Sequence, residues 1–288
     1  MMLALTNRNW KLFYRDRGTV FFSLLGPIII VLLYVFFLKG TVTEGLTVAE
    51  GTSDYLVDSW IMAGIIASAT VTTCLSGYGT MIRDREDGIA KDFDTSPVSK
   101  WSVIGGYLLN SMVIGTVMSI ISFVIAEIYI VVNGGSLVSP LEALQILGTI
   151  VAAVFSAAGL VGLLSSFIGS EGAFSGANIA IGAAIGFLVG AYIPIGGLPD
   201  GVQSVIKLLP ASHAARVLRV IMMAEPAAAA FEGAPAQAVE QFSTEMGVSF
   251  QIGDHVVTMA DSISYLLLSG LVAFVLTVVV LAIKRRNQ

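Results

Sequence analysis

Charge is scarce in this sequence. Only 12% of its 288 residues are Asp, Glu, Lys or Arg, about half the share of a soluble domain, while 56% are hydrophobic. That balance excludes an ordinary soluble protein and indicates several membrane spans. Cysteine is nearly absent. Cys74 is alone, so the chain has no internal disulfide and no cysteine metal cluster. In its apolar stretch it is expected to pack as a small hydrophobe. No G-x-x-x-x-G-K-[ST] occurs, which excludes nucleotide binding through a P-loop of its own. No H-E-x-x-H occurs either, and both histidines, His213 and His255, fall late in the chain. A hydrolase needs nucleophile, base and oxyanion site within reach of one another. The "GAFSG" run at 172–176 offers Ser175, but the spans below put it a membrane thickness from either histidine. Its small residues are read as close helix packing, and the chain is not expected to be an enzyme.

What the sequence has in quantity is long apolar runs. Six spans are expected, at 20–38, 57–80, 103–132, 141–169, 172–192 and 262–283, in an all-α membrane protein forming one domain. Residues 20–38 contain no ionisable group; as a helix they cover about 28 Å, the thickness of a hydrocarbon core. That run is too long for a signal-peptide core and no small-x-small site follows it, so the first span is expected to be retained. Only "GSEG" at 169–172 separates the fourth and fifth spans, which predicts a tight helical hairpin.

Eleven of the fifteen basic residues fall in three segments. Arg8, Lys11, Arg15 and Arg17 precede the first span. Arg83, Arg85, Lys91 and Lys100 follow the second, and Lys284, Arg285 and Arg286 follow the sixth. An even number of spans puts all three on one side, and the positive-inside rule makes that side the cytoplasm, with both termini on it. The other side keeps Lys39, Lys207, Arg216 and Arg219 and is richer in carboxylates, Glu44, Glu50, Asp54 and Asp58 among them. The opening "LALTNRNWKLFYRDRG" predicts an interfacial helix, with Leu3, Trp10, Phe13 and Tyr14 toward lipid and the bases wet. The outer segment 193–261 holds apolar stretches too short to span, interrupted by Pro194, Pro199 and Pro210. They are read as re-entrant or interfacial. "AAAAFEGAPAQ" reads as a polar, Ala-rich link, and "SFQIGDHVVTM" as a small hairpin around Gly253-Asp254.

Within the spans, Glu127 is the one carboxylate well inside, a few residues from the outer end of the third span. It is read as a solvated helix-end residue, the alternative being an ion-coupling site. Gly182, Gly186 and Gly190 repeat every four residues and give the fifth span one flat face. That face packs either within the subunit or against a second subunit.

The stretch "DREDGIAKDFDTSPVSKW" at 84–101 is a charged island between two apolar runs. Arg83 and Asp87, and Asp87 and Lys91, are four apart and are expected to pair along a short helix. Gly88 interrupts it. Pro97, after Asp94, Thr95 and Ser96, is a stop signal, and Ser99 is a candidate N-cap for the next helix. Topogenic charge explains the bases but not Asp84, Glu86, Asp87, Asp92 and Asp94, which contribute little to topology. A mixed-sign loop held between two spans suits docking to a soluble partner.

These residues carry a resemblance to the membrane subunits of ABC-2 type (type V) ABC exporters, close to the drug- and antibiotic-efflux permeases. "NRNWKLFYRDRGTVFFSLLGPIIIVLLYVFFL" resembles the family's basic interfacial helix and first span, with Gly26-Pro27 near its cytoplasmic end. "RDREDGIAKDFDTSPVSKWSVIGGYLLN" resembles its loop between the second and third spans, where the turn here reads Ser96-Pro97-Val98-Ser99. "PIGGLPDGVQSVIKLLPASHAARVLR" resembles its outer segment after the fifth span. The resemblance implies a coupling helix that sits on a separate ATPase subunit, a role falling on Arg83, Asp84, Arg85, Glu86, Asp87, Gly88, Lys91, Asp92 and Asp94. It implies two ATPase copies binding ATP and Mg, no cofactor on this chain, a second permease, identical or homologous, a lipid membrane, and no nucleic acid. An outer gate falls on Pro194, Leu198, Pro199 and Pro210. The second and fifth spans would flank a substrate path, with Met62, Ser68, Thr72, Thr73, Asn178, Phe187 and Tyr192 as candidate lining. No charge lies among them, which points to an amphipathic or apolar passenger such as a drug, lipid or peptide. The lack of a cysteine-stapled outer domain points to a bacterial inner membrane. Two other classes stay open: an ion-coupled carrier using Glu127, and a sensor or scaffold that binds a partner without moving substrate.

Overall fold

The computed structural model of the chain describes residues 1–40 and 52–284. Glu44, Glu50, Arg285 and Arg286, counted above in the charge asymmetry, lie outside the described residues, as do the side chains of Asp94, Lys100 and Lys284. The regular structure of the described residues is helical, apart from one two-stranded hairpin with two residues in each strand.

Helix α1 (Met2–Arg15) buries Leu5, Thr6, Asn9 and Phe13 and ends at Asp16. Asp16 then starts α2 (Arg17–Ser23): its carboxylate accepts from the Thr19 amide at 3.1 Å and the Thr19 hydroxyl at 2.6 Å. Those bonds hold the Asp16 carboxyl below the usual carboxylate range. Helix α3 (Leu25–Leu33) runs on as a π-helical turn, Tyr34–Leu38. Together α2 and α3 make one apolar span bent by 41°. The expected helical span over 20–38 is therefore two pieces, and Pro27 is the cause. It has no amide hydrogen to give the carbonyl four residues back, and its ring crowds the preceding turn.

Five unbroken helices are long and apolar enough to cross a membrane. They are α4 (Ser53–Glu86), α6 (Lys100–Val132), α7 (Pro140–Phe167), α8 (Glu171–Leu188) and α13 (Met259–Lys284). The bent α2–α3 pair makes the sixth, so the chain is an all-α, multi-pass membrane protein. The short α5 (Ile89–Thr95) lies between α4 and α6. Serines cap the next three long helices: Ser99 on α6, Ser139 with a Glu142 capping box on α7, and Ser170 on α8. Each offers a hydroxyl to amides that have no partner within the helix.

Helix α4 is the hub. Of its apolar window, 89% is buried, against 17% for α8, and it packs on α6, α7, α8 and the bent first span. Small residues let neighbours come close. A Cβ on Gly77 would lie 2.8 Å from the Ser111 Cα, and across this contact Ser111 donates to the Cys74 carbonyl (2.8 Å) and Asn110 to that of Gly77 (3.0 Å). Helices α7 and α13 meet in the same way at Gly159 and Gly270.

The segment after α8 is more helical and more deeply placed than its prolines suggest. A 3₁₀ turn (Ile195–Gly197) leads to α9 (Asp200–Lys207), α10 (Pro210–Met222), α11 (Ala224–Ala230) and α12 (Ala236–Glu245). Eleven of the 13 residues of α10 are buried, among α4, α7 and α13. Of the Ala-rich stretch expected as a link, 227–230 belong to α11 and 236–237 to α12, since alanine is the strongest helix former, and 231–235 connect the two. The expected hairpin is β1 (Gln251–Ile252) with β2 (His255–Val256), turning at Gly253 with φ 61°.

Candidate functional site

A groove of about 730 Å³ lies between the bent first span, α4, α8 and the residues just after α8. Helix α4 contributes Thr72 and Ser76, α8 contributes Asn178, Gly182 and Phe187, and Tyr192 closes one side. No charged residue lines it. Four of the seven residues read from the sequence as path-lining therefore meet here: Thr72, Asn178, Phe187 and Tyr192. The other three do not. Met62 faces a crevice of about 30 Å³ toward α6. Ser68 and Thr73 are buried and donate to carbonyls of their own helix, Gly64 at 2.9 Å and Ala69 at 2.6 Å. A helix enclosed by neighbours keeps only one stripe open, here Thr72 and Ser76, four residues apart. Ser76 was missed, although that spacing from Thr72 pointed to it.

The three glycines of α8 do three different things. Gly182 has nothing within 4 Å of its Cβ position and opens on the groove. The Tyr192 ring occupies the space beside Gly186, where no Cβ could fit, and stands edge-on to Phe187 at 4.7 Å. Gly190 ends the helix with φ 66°. Beyond them α8 exposes mostly small residues, Gly172, Ala173, Gly176, Ala180 and Ala184, with Ile179 and Phe187 the large apolar side chains among them. The exposed face of α13 is bulky by contrast, with Leu267, Leu268, Leu271 and Val275. Small residues on the open side of a span permit close approach by another helix.

The charged end is partly consumed within the chain. Asp84 is buried on α4 and receives Arg8 through two bonds, 2.6 Å and 2.9 Å, and the Tyr107 hydroxyl at 2.6 Å. The carboxylate raises the Arg8 pKa above its ordinary value. Helix α1 is thereby fixed over Gly105 and Gly106 of α6, where Met2 and Leu5 fill the space a Cβ would need. Glu86 accepts from the Glu171 amide at 2.7 Å, at the N-terminus of α8, and Arg83 pairs with the Glu171 side chain at 3.2 Å. Arg85 donates to the Ser165 carbonyl at 3.4 Å. Among the described residues no ion pair joins Arg83 to Asp87 or Asp87 to Lys91. Gly88, at φ 78°, breaks the helix after Asp87, so the expected four-residue spacing does not lie on one helix face. Asp87, Lys91 and Asp92 remain exposed around that turn.

At the opposite end, Pro194 precedes the 3₁₀ turn, Pro199 precedes α9 and Pro210 opens α10. Leu198 packs on a small cluster of Ile195, Ile206, Phe250 and Val257. The principal tie there was not anticipated. Arg219, fully buried on α10, donates to the carbonyls of Val189 (3.0 Å) and Gly190 (2.7 Å) and lies 5.0 Å from the centre of the Trp60 ring. It caps the end of α8 with a cation, as the helix dipole favours. Trp60 in turn donates to the Met246 carbonyl at 2.8 Å. Nearby, Asp58 of α4 is buried, accepting from Tyr34 at 2.7 Å and Lys39 at 3.0 Å. Glu127, expected as a solvated helix-end residue, is only 6% exposed and accepts from the Val138 amide at 3.2 Å.

Residues 2–223 match the family model of the ABC-2 type transporter. The chain belongs to the ABC-2 type transporter family. The match runs from α1 through α10, so it takes in the groove, the charged end and the buried Arg219. The ABC-2 domain is the membrane component of an ABC system, distinct from its ATPase, and the family normally works with an ABC ATPase. No curated protein matches the chain.

Proposed function

We propose that this ABC-2 chain is one of two permeases, identical or homologous, in an ATP-driven exporter of apolar or amphipathic compounds. The uncharged groove beside the small-residue face of α8 carries the reading. A second permease packing on that face would enclose the groove as part of a shared substrate path. Asp87, Lys91 and Asp92, exposed around Gly88, form the surface on which a separate ATPase docks, one copy per permease. ATP and Mg reside on that subunit, which supplies the P-loop this sequence lacks. The basic end of the bundle faces the cytoplasm of a bacterial cell, and the α9–α12 end faces out.

The proposed mechanism is alternating access. Closure of the ATPase pair on ATP moves the α4–α5 turn. Because Glu86 and Arg83 hold the start of α8, that motion passes to the groove wall and on to the Arg219 tie at the far end. Hydrolysis resets the complex. Glu127 lines a different groove, which disfavours an ion-coupled carrier.

The test is gentle detergent purification of the tagged chain, followed by reconstitution and ATP-driven transport of a lipophilic dye in proteoliposomes. A co-purifying ATPase, lost in Asp87→Lys, together with dye transport is the expected result. Purification of the folded chain alone, with no ATP-dependent transport after adding the ATPase fraction, would overturn the reading.

A further inference from the structure

The last turns of α6 and the start of α7 enclose a second groove of about 460 Å³. That is within the usual range of small-molecule sites, roughly 300–1,000 Å³. Its walls are apolar: Phe123, Val124, Ile128, Val131 and Leu137 are among its lining. Val124 and Ile128 are 50% and 59% exposed, and they lie on a membrane-spanning helix. The groove therefore opens toward lipid, away from the uncharged groove between α4 and α8.

One ionisable side chain lines it, Glu127. One carboxylate oxygen, Oε2, takes the Val138 amide, while Oε1 is buried and finds no donor among the described residues. An acceptor kept from water without a partner is costly, and a carboxylate within a span marks a functional position by default. Apolar walls alone would accept any acyl chain. The carboxylate adds selection for a donor, and for a positively charged one above all, because a charge-assisted bond is about twice as strong as a neutral one. An ammonium supplies both the charge and the missing hydrogen bond.

We propose that this groove binds a lipophilic amine drawn from the bilayer, its ammonium on the Glu127 carboxylate and its tail along Phe123, Val124 and Ile128. An alcohol of the same length would fill the walls but bring only a neutral donor. A fatty acid would place like charge against Glu127.

The test uses a dodecylamine carrying a diazirine in its tail, and its N-acetyl derivative, on the full chain in nanodiscs. Covalent labelling of residues 123–143 is read by mass spectrometry. The wild type is expected to take about tenfold more label from the amine, as one charge-assisted hydrogen bond implies. Glu127→Gln keeps an oxygen for the Val138 amide and should bring both probes to the same level. Ile128→Trp fills the groove and should lower both. Equal labelling by the two probes in the wild type, or amine labelling unchanged in Glu127→Gln, would overturn the proposal. A groove already covered by a second copy would show neither probe in the wild type, and would overturn it equally.

Discussion

Replacing Arg8 by alanine isolates the interaction that holds α1 to the bundle. The guanidinium makes two charge-assisted bonds to Asp84, whose side chain is 4% exposed, while that of Arg8 is 35% exposed. A bond to a charged group contributes about 1.5–3 kcal/mol net. Breaking a fully buried pair from one side costs about 3–5 kcal/mol. The exposure of Arg8 admits solvent screening, so the lower range applies, and about 2 kcal/mol is expected. Tyr107 still donates to Asp84 in the variant, which keeps the loss from rising further. An opening equilibrium shifted by that much changes about 30-fold. Hydrogen exchange along α1 should therefore accelerate about 30-fold, with exchange in the α7–α13 pair unchanged. Asp84→Asn should cost less, because it removes the buried charge and leaves Arg8, which is 35% exposed, to be solvated. The double variant should then show a coupling of about 2 kcal/mol between the two sites. If α1 exchanges at the wild-type rate in Arg8→Ala, or if the two substitutions add without coupling, the clamp does not hold the helix.

Glu86 and Asp87 are neighbours with different expected phenotypes. Glu86→Ala removes the acceptor at the start of α8 and should cost about 1 kcal/mol of thermal stability with the ATPase still bound, whereas Asp87→Lys should weaken ATPase capture in a pull-down and leave the melting temperature within a degree or two. Gly186→Ala should expel the Tyr192 ring from its place, lowering stability by more than about 1 kcal/mol and altering dye binding in the groove; Gly182→Ala, which meets nothing, is the matched control in the same melting assay. Arg219→Ala strands the carbonyls of Val189 and Gly190 and empties the space over Trp60, a loss of about 3 kcal/mol. An unchanged melting curve for that variant would show that Arg219 does not secure the end of α8.

The helical spans were legible because apolar length is a one-dimensional property. So was the turn at Gly88 and the cap at Ser99, since both depend on residues adjacent in sequence. The bend at Leu24 was signalled by Pro27, though the run of apolar residues around it masked the break. What the sequence hid were pairings across long separations. Arg8 reaches Asp84 across 76 positions, and Arg219 reaches the end of α8 across about 30. Asp84 and Asp87 look alike in the string, yet one is buried against Tyr107 and the other is exposed. Which face of α4 stays open depends on where the surrounding helices settle, so Ser68 and Thr73 could not be separated from Thr72 by residue type. Glu127 failed for a related reason: the loop that folds back over it contributes an amide, and amides carry no signature in a sequence.

The two buried aspartates of α4 are held alike. Asp58 binds Tyr34 and Lys39, and Asp84 binds Tyr107 and Arg8. They are about 39 Å apart along a continuous helix, and each base comes from the first forty residues. The N-terminal segment is thus bolted to α4 at both ends, like a bracket jointed at Asp16 and Leu24. A bracket fixed twice cannot peel away from its post. In the proposed alternating-access cycle the groove would then widen from the other side, by displacement of α8. Its start is held by Glu86 and its finish by Arg219, and in that cycle those two latches would set how far it swings.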